Sequence, residues 1–240
     1  VPAITPQRRK LEPHGVDRGI ALLKEVGLTV AAYQTSSNFN LNQRDKWPAQ
    51  IAEFKHDIET ATRLGTDLLV FQTGPPEGLS YEEAERHFIE ILNQLLPEAE
   101  RRGVRLAVEH NSALRVDLGF LGSFHNALDL ADAVNSPYLT VCFEINNGWA
   151  ERHLYDNIQK RIAKISIAQI DDFKEGTFVT PSRVPLGDGI IPLQRIIDAF
   201  LGAGYNGYFD VDLIGPHIED MGYEEALRRC VNYVHNYKLP

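Results

Sequence analysis

Four short apolar runs of this chain end in side chains that carry oxygen. VRLAVEHN ends in Glu109 and Asn111, LTVCFEINN in Glu144, Asn146 and Asn147, ISIAQIDD in Gln169, Asp171 and Asp172, and YFDVDL in Asp210 and Asp212. Taken singly, each acid reads equally well as the first residue of a solvated loop. Taken together, they recur at the same point of successive runs, and three carboxylates and an amide brought to one place repel one another and raise each other's pKa unless a cation lies among them. A divalent ion resolves that repulsion, and oxygen donors favour Mg2+ or Mn2+ over zinc, which takes imidazole nitrogen or thiolate more readily. Of the two acids in YFDVDL, Asp212 is preferred because it lies nearer the end of the run, although both share one face. An ion held there would chelate a carbonyl and a neighbouring hydroxyl, acidify the C–H between them and stabilise the enediolate, with two carboxylates exchanging the proton.

Such residues need a scaffold that brings strand ends together. Short β-branched runs alternate with longer amphipathic ones, with Gly or Pro at nearly every junction, which is the pattern of βα units. Strands are expected over Leu28 to Tyr33, Asp67 to Gln72, Val104 to Glu109, Leu139 to Glu144, Ile165 to Ile170 and Tyr208 to Asp212. Their near-continuous apolar character suits strands buried on both faces. Three helix faces stand out: Ile51, Phe54, Ile58 and Ala61; Phe88, Ile91, Leu92 and Leu95; and Tyr223, Ala226, Leu227, Cys230, Val231 and Val234. Ser80 with Glu83 forms a capping box, Pro192 suits the first position of a helix, and Gly27, Gly65, Gly103 and Gly204 stand where left-handed caps are wanted. Pro97 predicts a kink or break before Glu98 to Arg102.

Regular βα alternation predicts an α/β fold, a parallel (β/α)8 TIM barrel, in which chemistry collects where the strands end. Only six strands are evident and the first 15 residues show no convincing one. Two N-terminal strands and one helix are therefore expected to be missing from this chain, with Val16 to Val26 as the second helix. An open six-stranded α/β sheet is the alternative. No linker or repeat divides residues 1–240, which read as a single domain.

The 240 residues carry 24 Lys and Arg against 33 Asp and Glu, a net charge of −9, with 43% apolar residues and two cysteines. Basic residues scattered among acids exclude a nucleic-acid partner. Cys142 and Cys230 make no disulfide framework and no Cys/His tract suggests structural zinc, so a reducing, cytoplasmic setting is expected. No apolar run approaches the roughly 18 residues of a membrane span, and VPAITPQRRK lacks the apolar core of a secretory signal.

The succession VRLAVEHN, LTVCFEINN, KISIAQIDD, VPLGDGIIPLQRII and GYNGYFDVDLIGP resembles the xylose-isomerase-like barrel superfamily of sugar and sugar-phosphate isomerases and epimerases, over nearly the whole chain. The resemblance implies an eight-stranded barrel holding one divalent metal through the positions of Glu109, Glu144, Gln169 and Asp212. It also implies that Glu109 and Asp212 act as the catalytic acid and base. This chain departs from the pattern in several places. Glu144 replaces the usual Asp, Asp212 the usual Glu and Gln169 the usual His, the last a change also seen in hydroxypyruvate-isomerase-like members. Asn147 stands where many members carry His. The shorter Asp212 favours one-base exchange through Glu109, or elimination of a β-hydroxyl. The related apurinic endonucleases use several further histidines for three metals; here the first two strands end in Tyr33-Gln34 and Gln72-Thr73, which excludes that activity.

By the same resemblance Arg183, in TPSRVPLGDG, contacts an anionic or polyhydroxylated substrate, a task suited to guanidinium. Asn111 is expected either to bond substrate or to cap a loop, and Trp149 to wall the pocket or pack on a helix. Asp172 is expected to orient Gln169 or its loop. His110, next to Glu109, should point away from the barrel axis and pack, while His153 lies over the pocket or on a helix surface. The turn at Gly187 and Gly189 is read as structural. The expected activity is a metal-dependent isomerase or epimerase of a small polyhydroxylated carbonyl compound, in a chain that can form homo-oligomers. Two other readings stand beside it: a dehydratase of inosose or dehydroshikimate type, and a metal-free sugar-binding or scaffolding barrel.

Overall fold

The computed structural model describes residues 2–177 and 179–237. The strands β1 (Ala3–Ile4), β2 (Thr29–Val30), β3 (Tyr33–Gln34), β4 (Leu68–Phe71), β5 (Arg105–Glu109), β6 (Leu139–Glu144), β7 (Ile165–Ile170) and β8 (Tyr208–Val211) run parallel. The main sheet has the order β8-β7-β6-β5-β4-β3, so each strand lies beside its neighbour in sequence. Helices fill the connections: α1 (Val16–Glu25), α2 (Trp47–Leu64), α3 (Tyr81–Arg102), α4 (Phe124–Val134), α5 (Leu154–Arg161), α6 (Leu193–Gly202) and α7 (Tyr223–Asn236). The arrangement is a curled parallel half-barrel, a partial TIM barrel.

The first 15 residues hold a strand that the sequence pattern does not show. Ala3 and Ile4 pair in parallel with Thr29 and Val30, and an isolated bridge joins Gln7 to Gln34. This adds a stave beyond the six expected and corrects the expectation of no strand there. A two-residue strand is too short to carry a period, and only its neighbour reveals it. The expected strand over Leu28 to Tyr33 is divided at Ala31 and Ala32.

Two layers of side chains hold the sheet. Outside it, Ile51, Phe54 and Ile58 of α2, Phe88, Ile91, Leu92 and Leu95 of α3, Phe124 and Leu128 of α4 and Phe200 of α6 are buried against the strands. Aromatic edges link them, with Phe54 on Phe71 at 5.0 Å, Phe124 on Phe143 at 4.8 Å and Phe143 on Phe200 at 5.3 Å between ring centres. Inside the curl, the small or slender Ala32, Leu68, Val70, Ala107, Cys142 and Ile167 form a separate buried cluster.

Two helices differ from expectation. α3 does not break at Pro97 but runs unbroken from its Ser80–Glu83 capping box to Gly103, which takes φ of +67°. Pro97 and Asn93, whose carbonyl loses its helical donor, are both exposed, so water can take up the carbonyl. Of the stripe proposed on α7 only Ala226 and Cys230 are buried; Tyr223, Leu227 and Val234 are 57%, 41% and 53% exposed, because no described element covers that side. Pro192 caps α6 instead of opening it.

Because Pro97 packs against little and interrupts the hydrogen-bond ladder, Pro97→Ala is expected to stabilise the fold by about 1–2 kcal/mol, the helix-propensity gain less the added freedom of the unfolded chain. Urea denaturation measures this; an unchanged or lowered midpoint would contradict it.

Candidate active site

Side chains alternate across a strand, so the residue two beyond each member of the inner cluster also faces inward. Those residues are Gln34 after Ala32, Gln72 after Val70, Glu109 after Ala107, Glu144 after Cys142 and Gln169 after Ile167. Asp212 continues past the end of β8, its amide donating to the Ile170 carbonyl at 3.1 Å. The apolar lumen thus gives way to a polar ring at the C-terminal rim.

Gln169 joins that ring through a defect in the sheet. Val141 pairs with Ile165 but Cys142 pairs with Ile167, so Ser166 is an extra residue in β7, and beyond it Glu144 lies in register with Gln169. Without this bulge Ala168 would stand beside Glu144 and Gln169 would face the helices. The Arg105 guanidinium donates to the Ser166 hydroxyl at 3.1 Å and steadies the bulge.

The carboxylates of the rim converge on Arg183. Its Nη2 lies 3.2 Å from Glu144 Oε1, its Nε 2.7 Å from Asp171 Oδ2, and its Nη1 is paired with Asp212 Oδ2. Arg183 is held from both sides: it belongs to a two-residue strand, Arg183–Val184, antiparallel to Asp172–Phe173, and its amide donates to the Ile214 carbonyl at 3.2 Å. Burial opposes its charge, yet Glu144, Asp171 and Asp212 hold it firmly protonated, above the ordinary arginine value. Glu144 also receives the amides of Asn146 and Asn147 at 3.2 and 2.8 Å, capping the short helix Ile145–Gly148. Asp171 receives the Asn146 side-chain amide at 3.0 Å; burial and then Glu144 push its carboxyl up.

Glu109 stands at the side of this cluster, near Glu144, Asp212 and Arg183 but outside the three ion pairs of the guanidinium. Gln72 donates to it at 3.3 Å and Gln34 at 3.5 Å, both long contacts. Burial first, then the charges of Glu144 and Asp212, push its carboxyl up to about 8. Gln169 accepts from the Cys142 thiol at 3.4 Å.

The remaining expected residues divide. Asp172 orients its loop and not Gln169: its carboxylate receives the amides of Phe173, Gly187, Gly189 and Ile191 at 2.8 to 3.1 Å. A Cβ at Gly189 would lie 2.3 Å from Asp172 Oδ1, so only glycine fits there. Asn111 is buried beneath the following loop, accepting from Gln72 at 3.3 Å, its amide nitrogen against Gly119. Trp149 packs half buried against the core outside the sheet, and His153 is exposed on the surface. His110 packs on Phe124 and Phe143, as expected, and its Nε2 accepts the Glu144 amide at 3.2 Å. Burial pushes this imidazole down to about 3, so it is neutral at ordinary pH. Arg183 is not open to solvent as a substrate contact but is the hub of the acids. Asp171, Gln34 and Gln72 are members of the ring that the sequence reading gave no role, although each ends a strand as the expected residues do.

Comparison with known proteins agrees with this architecture. The model of the xylose isomerase-like TIM barrel matches residues 2–233. The chain belongs to that family. It is 26% identical over 193 residues to an inosose isomerase of Halalkalibacterium halodurans, covering 78% of this chain and 68% of that one. It is 27% identical over 149 residues to the L-ribulose-5-phosphate 3-epimerase UlaE of Shigella boydii, covering 61% of this chain but only 49% of the epimerase. Among solved structures it resembles the IOLI protein with a binding zinc atom, with a TM-score of 0.82 and 23% identity over 99% of this chain and 89% of that one.

The sequence resemblance leads to the expectation of a divalent ion held by Glu109, Glu144, Gln169 and Asp212, a donor set that is all oxygen. As arranged it does not fit one. Among the described residues no three carboxylates, imidazoles or thiols are grouped so as to enclose a metal ion. Glu144 and Asp212 are turned to Arg183, Glu109 to the two glutamines, and Gln169 to Cys142.

Two outcomes are expected. Glu109 rises from an ordinary 4.5 to about 8 in the fold, so its contribution to stability is complete below the lower value and is lost as pH rises through the upper one. Melting temperature should fall between about pH 5 and pH 9, and Glu109→Gln should remove that part of the slope; an identical slope in both proteins would refute the assignment. Asp172→Ala leaves four loop amides without their acceptor and should cost on the order of 3 kcal/mol. Hydrogen exchange should rise at residues 187–191 and little elsewhere.

Proposed function

We propose that this chain is an isomerase or epimerase of a small polyhydroxylated carbonyl compound, acting by moving a proton at the carbon beside the carbonyl. The observation that carries the reading is the placement of Glu109. It is a buried carboxyl on the inward face of the rim, beside the Arg183 cluster and bonded, among the described residues, by long contacts from Gln34 and Gln72. A carboxyl that titrates near 8 is present in both forms near neutrality and can both take and return a proton. The names of the relatives, inosose isomerase and L-ribulose-5-phosphate 3-epimerase, support this reading and suggest polyhydroxylated carbonyl compounds as the first substrates to try.

In this reading Glu109 removes the proton, leaving the electron pair in the enediolate. Returning it to the neighbouring carbon, while the hydroxyl proton passes to the former carbonyl oxygen, gives the isomer. Return to the opposite face of the same carbon gives the epimer and calls on Asp212 from across the ring. Arg183 is ion-paired with three carboxylates, and the charge of the guanidinium lowers the energy of a developing oxyanion close by. The amides of Gln34 and Gln72 hold the Glu109 carboxyl in place and supply donors and acceptors for hydroxyl groups.

Incubation with inososes and with pentulose 5-phosphates in heavy water tests the proposal. Proton NMR should show deuterium entering at the carbon beside the carbonyl, and Glu109→Gln should slow it by about a hundredfold or more, the usual contribution of a general acid–base group. No incorporation with any of these compounds, or full incorporation in the variant, would remove the reading. An unsaturated product would instead assign the chain to the dehydratases.

A further inference from the structure

A ring of carboxylates at a barrel rim needs a positive charge, and in this chain the charge is already present. We propose that Arg183 is the resident cation of the site and that the guanidinium takes the place of a divalent metal, so that the native protein neither retains nor requires one there.

The geometry supports this from several directions. Each nitrogen of the guanidinium serves a carboxylate from a different part of the rim: Glu144 at the end of β6, Asp171 after β7 and Asp212 after β8. Arginine has fixed planar donors and does not lose its proton in a protein, so its charge remains at any working pH. The side chain is only 8% exposed and its backbone is fastened on two sides, by pairing with Phe173 and by the bond to Ile214. Gly215 packs so tightly on Pro181 and Ser182 that a Cβ there would come within 2.6 Å of the Pro181 carbonyl. The backbone bearing Arg183 is thus pressed onto the segment that follows Asp212. The lengths of the acids suit this partner. The longer Glu144 reaches both the helix amides and Nη2, whereas the short Asp212 leaves room for the guanidinium plane between them. A divalent ion at the same point would have to expel Arg183 from three ion pairs or sit against its positive charge.

This deepens the proposed function, resting on it only for the site's use in proton transfer, and its readout is metal content instead of turnover. The native protein, purified, stripped with EDTA and dialysed against Mn2+, Zn2+ or Mg2+, should hold well under one equivalent of metal by elemental analysis and show no thermal shift with any of the three. Arg183→Met should melt lower than the native chain in EDTA. It should also be restored by Mn2+ and bind it at least about thirtyfold more tightly, the effect of removing a unit charge some 4 Å from a divalent ion even in water. Retention of one ion by the native chain, lost in Glu144→Gln or Asp212→Asn, would overturn the proposal, as would a native Mn2+ shift equal to that of Arg183→Met. If Arg183→Met does not fold, native metal content and the shift in Arg183→Lys decide. Loss of solvent deuterium exchange without any change in metal binding would count against the activity and leave this proposal standing.

Discussion

The burial of several carboxylates around one guanidinium is the constraint on which the site depends. Glu144, Asp171 and Asp212 are drawn from three consecutive staves, and Glu144 and Asp171 are wholly removed from solvent. Taking such charges out of water costs several kcal/mol per ion unless they are paired and hydrogen-bonded. Arg183 supplies the pairing, and the amides of Asn146 and Asn147 and the side chain of Asn146 take up further oxygens. One positive charge does not balance every acid at the rim. The shortfall shows at Glu109, outside the ion pairs, and at Asp171 within them, both of whose carboxyls are pushed toward the neutral form.

The scaffold makes this arrangement possible by switching the lumen from apolar to polar within one residue pair on each strand. Ala107 and Glu109, Cys142 and Glu144, and Ile167 and Gln169 are neighbours on the same face, so the last apolar layer supports the first polar one. The bulge at Ser166 is part of that design, since it restores the alignment of β7 with β6 just before the rim. A single residue in the body of a strand therefore decides which of Ala168 and Gln169 faces the chemistry.

Much of the scaffold could be read from residue pattern, because buried parallel strands and amphipathic helices leave strong periods. β6 and β7 fall on their expected bounds, and the faces of α2 and α3 are buried as the spacing requires. Ala3–Ile4 could not be read, because two residues have no period, and the outer side of α7 could not, because a stripe shows amphipathicity but not whether a partner lies against it. In the site, the strand ends identified Glu109, Glu144, Gln169 and Asp212 as inward groups. They did not identify what would neutralise them. Arg183 lies in a loop whose path depends on the pairing of Arg183–Val184 with Asp172–Phe173, a contact no local pattern encodes. Asp171 lies two residues beyond Gln169, so alternation carries it onto the same face, but nothing in the local pattern tells that a guanidinium from a distant loop will meet it there.

A guanidinium and a divalent ion differ in more than charge. An ion accepts oxygen ligands from a substrate and can bind two at once, whereas a guanidinium donates hydrogen bonds in a fixed plane and stabilises an oxyanion without being ligated. A rim built on Arg183 therefore places more of the catalytic burden on the proton-transfer group, because less of the acidity of the substrate C–H comes from the cation. Keeping Glu109 apart from the ion pairs answers that need: its carboxyl is not held by the guanidinium, and burial beside other acids makes it a stronger base than an ordinary carboxylate. The separation of the two roles, neutralisation by Arg183 and proton transfer by Glu109, follows from which acids the arginine reaches and which one it leaves aside.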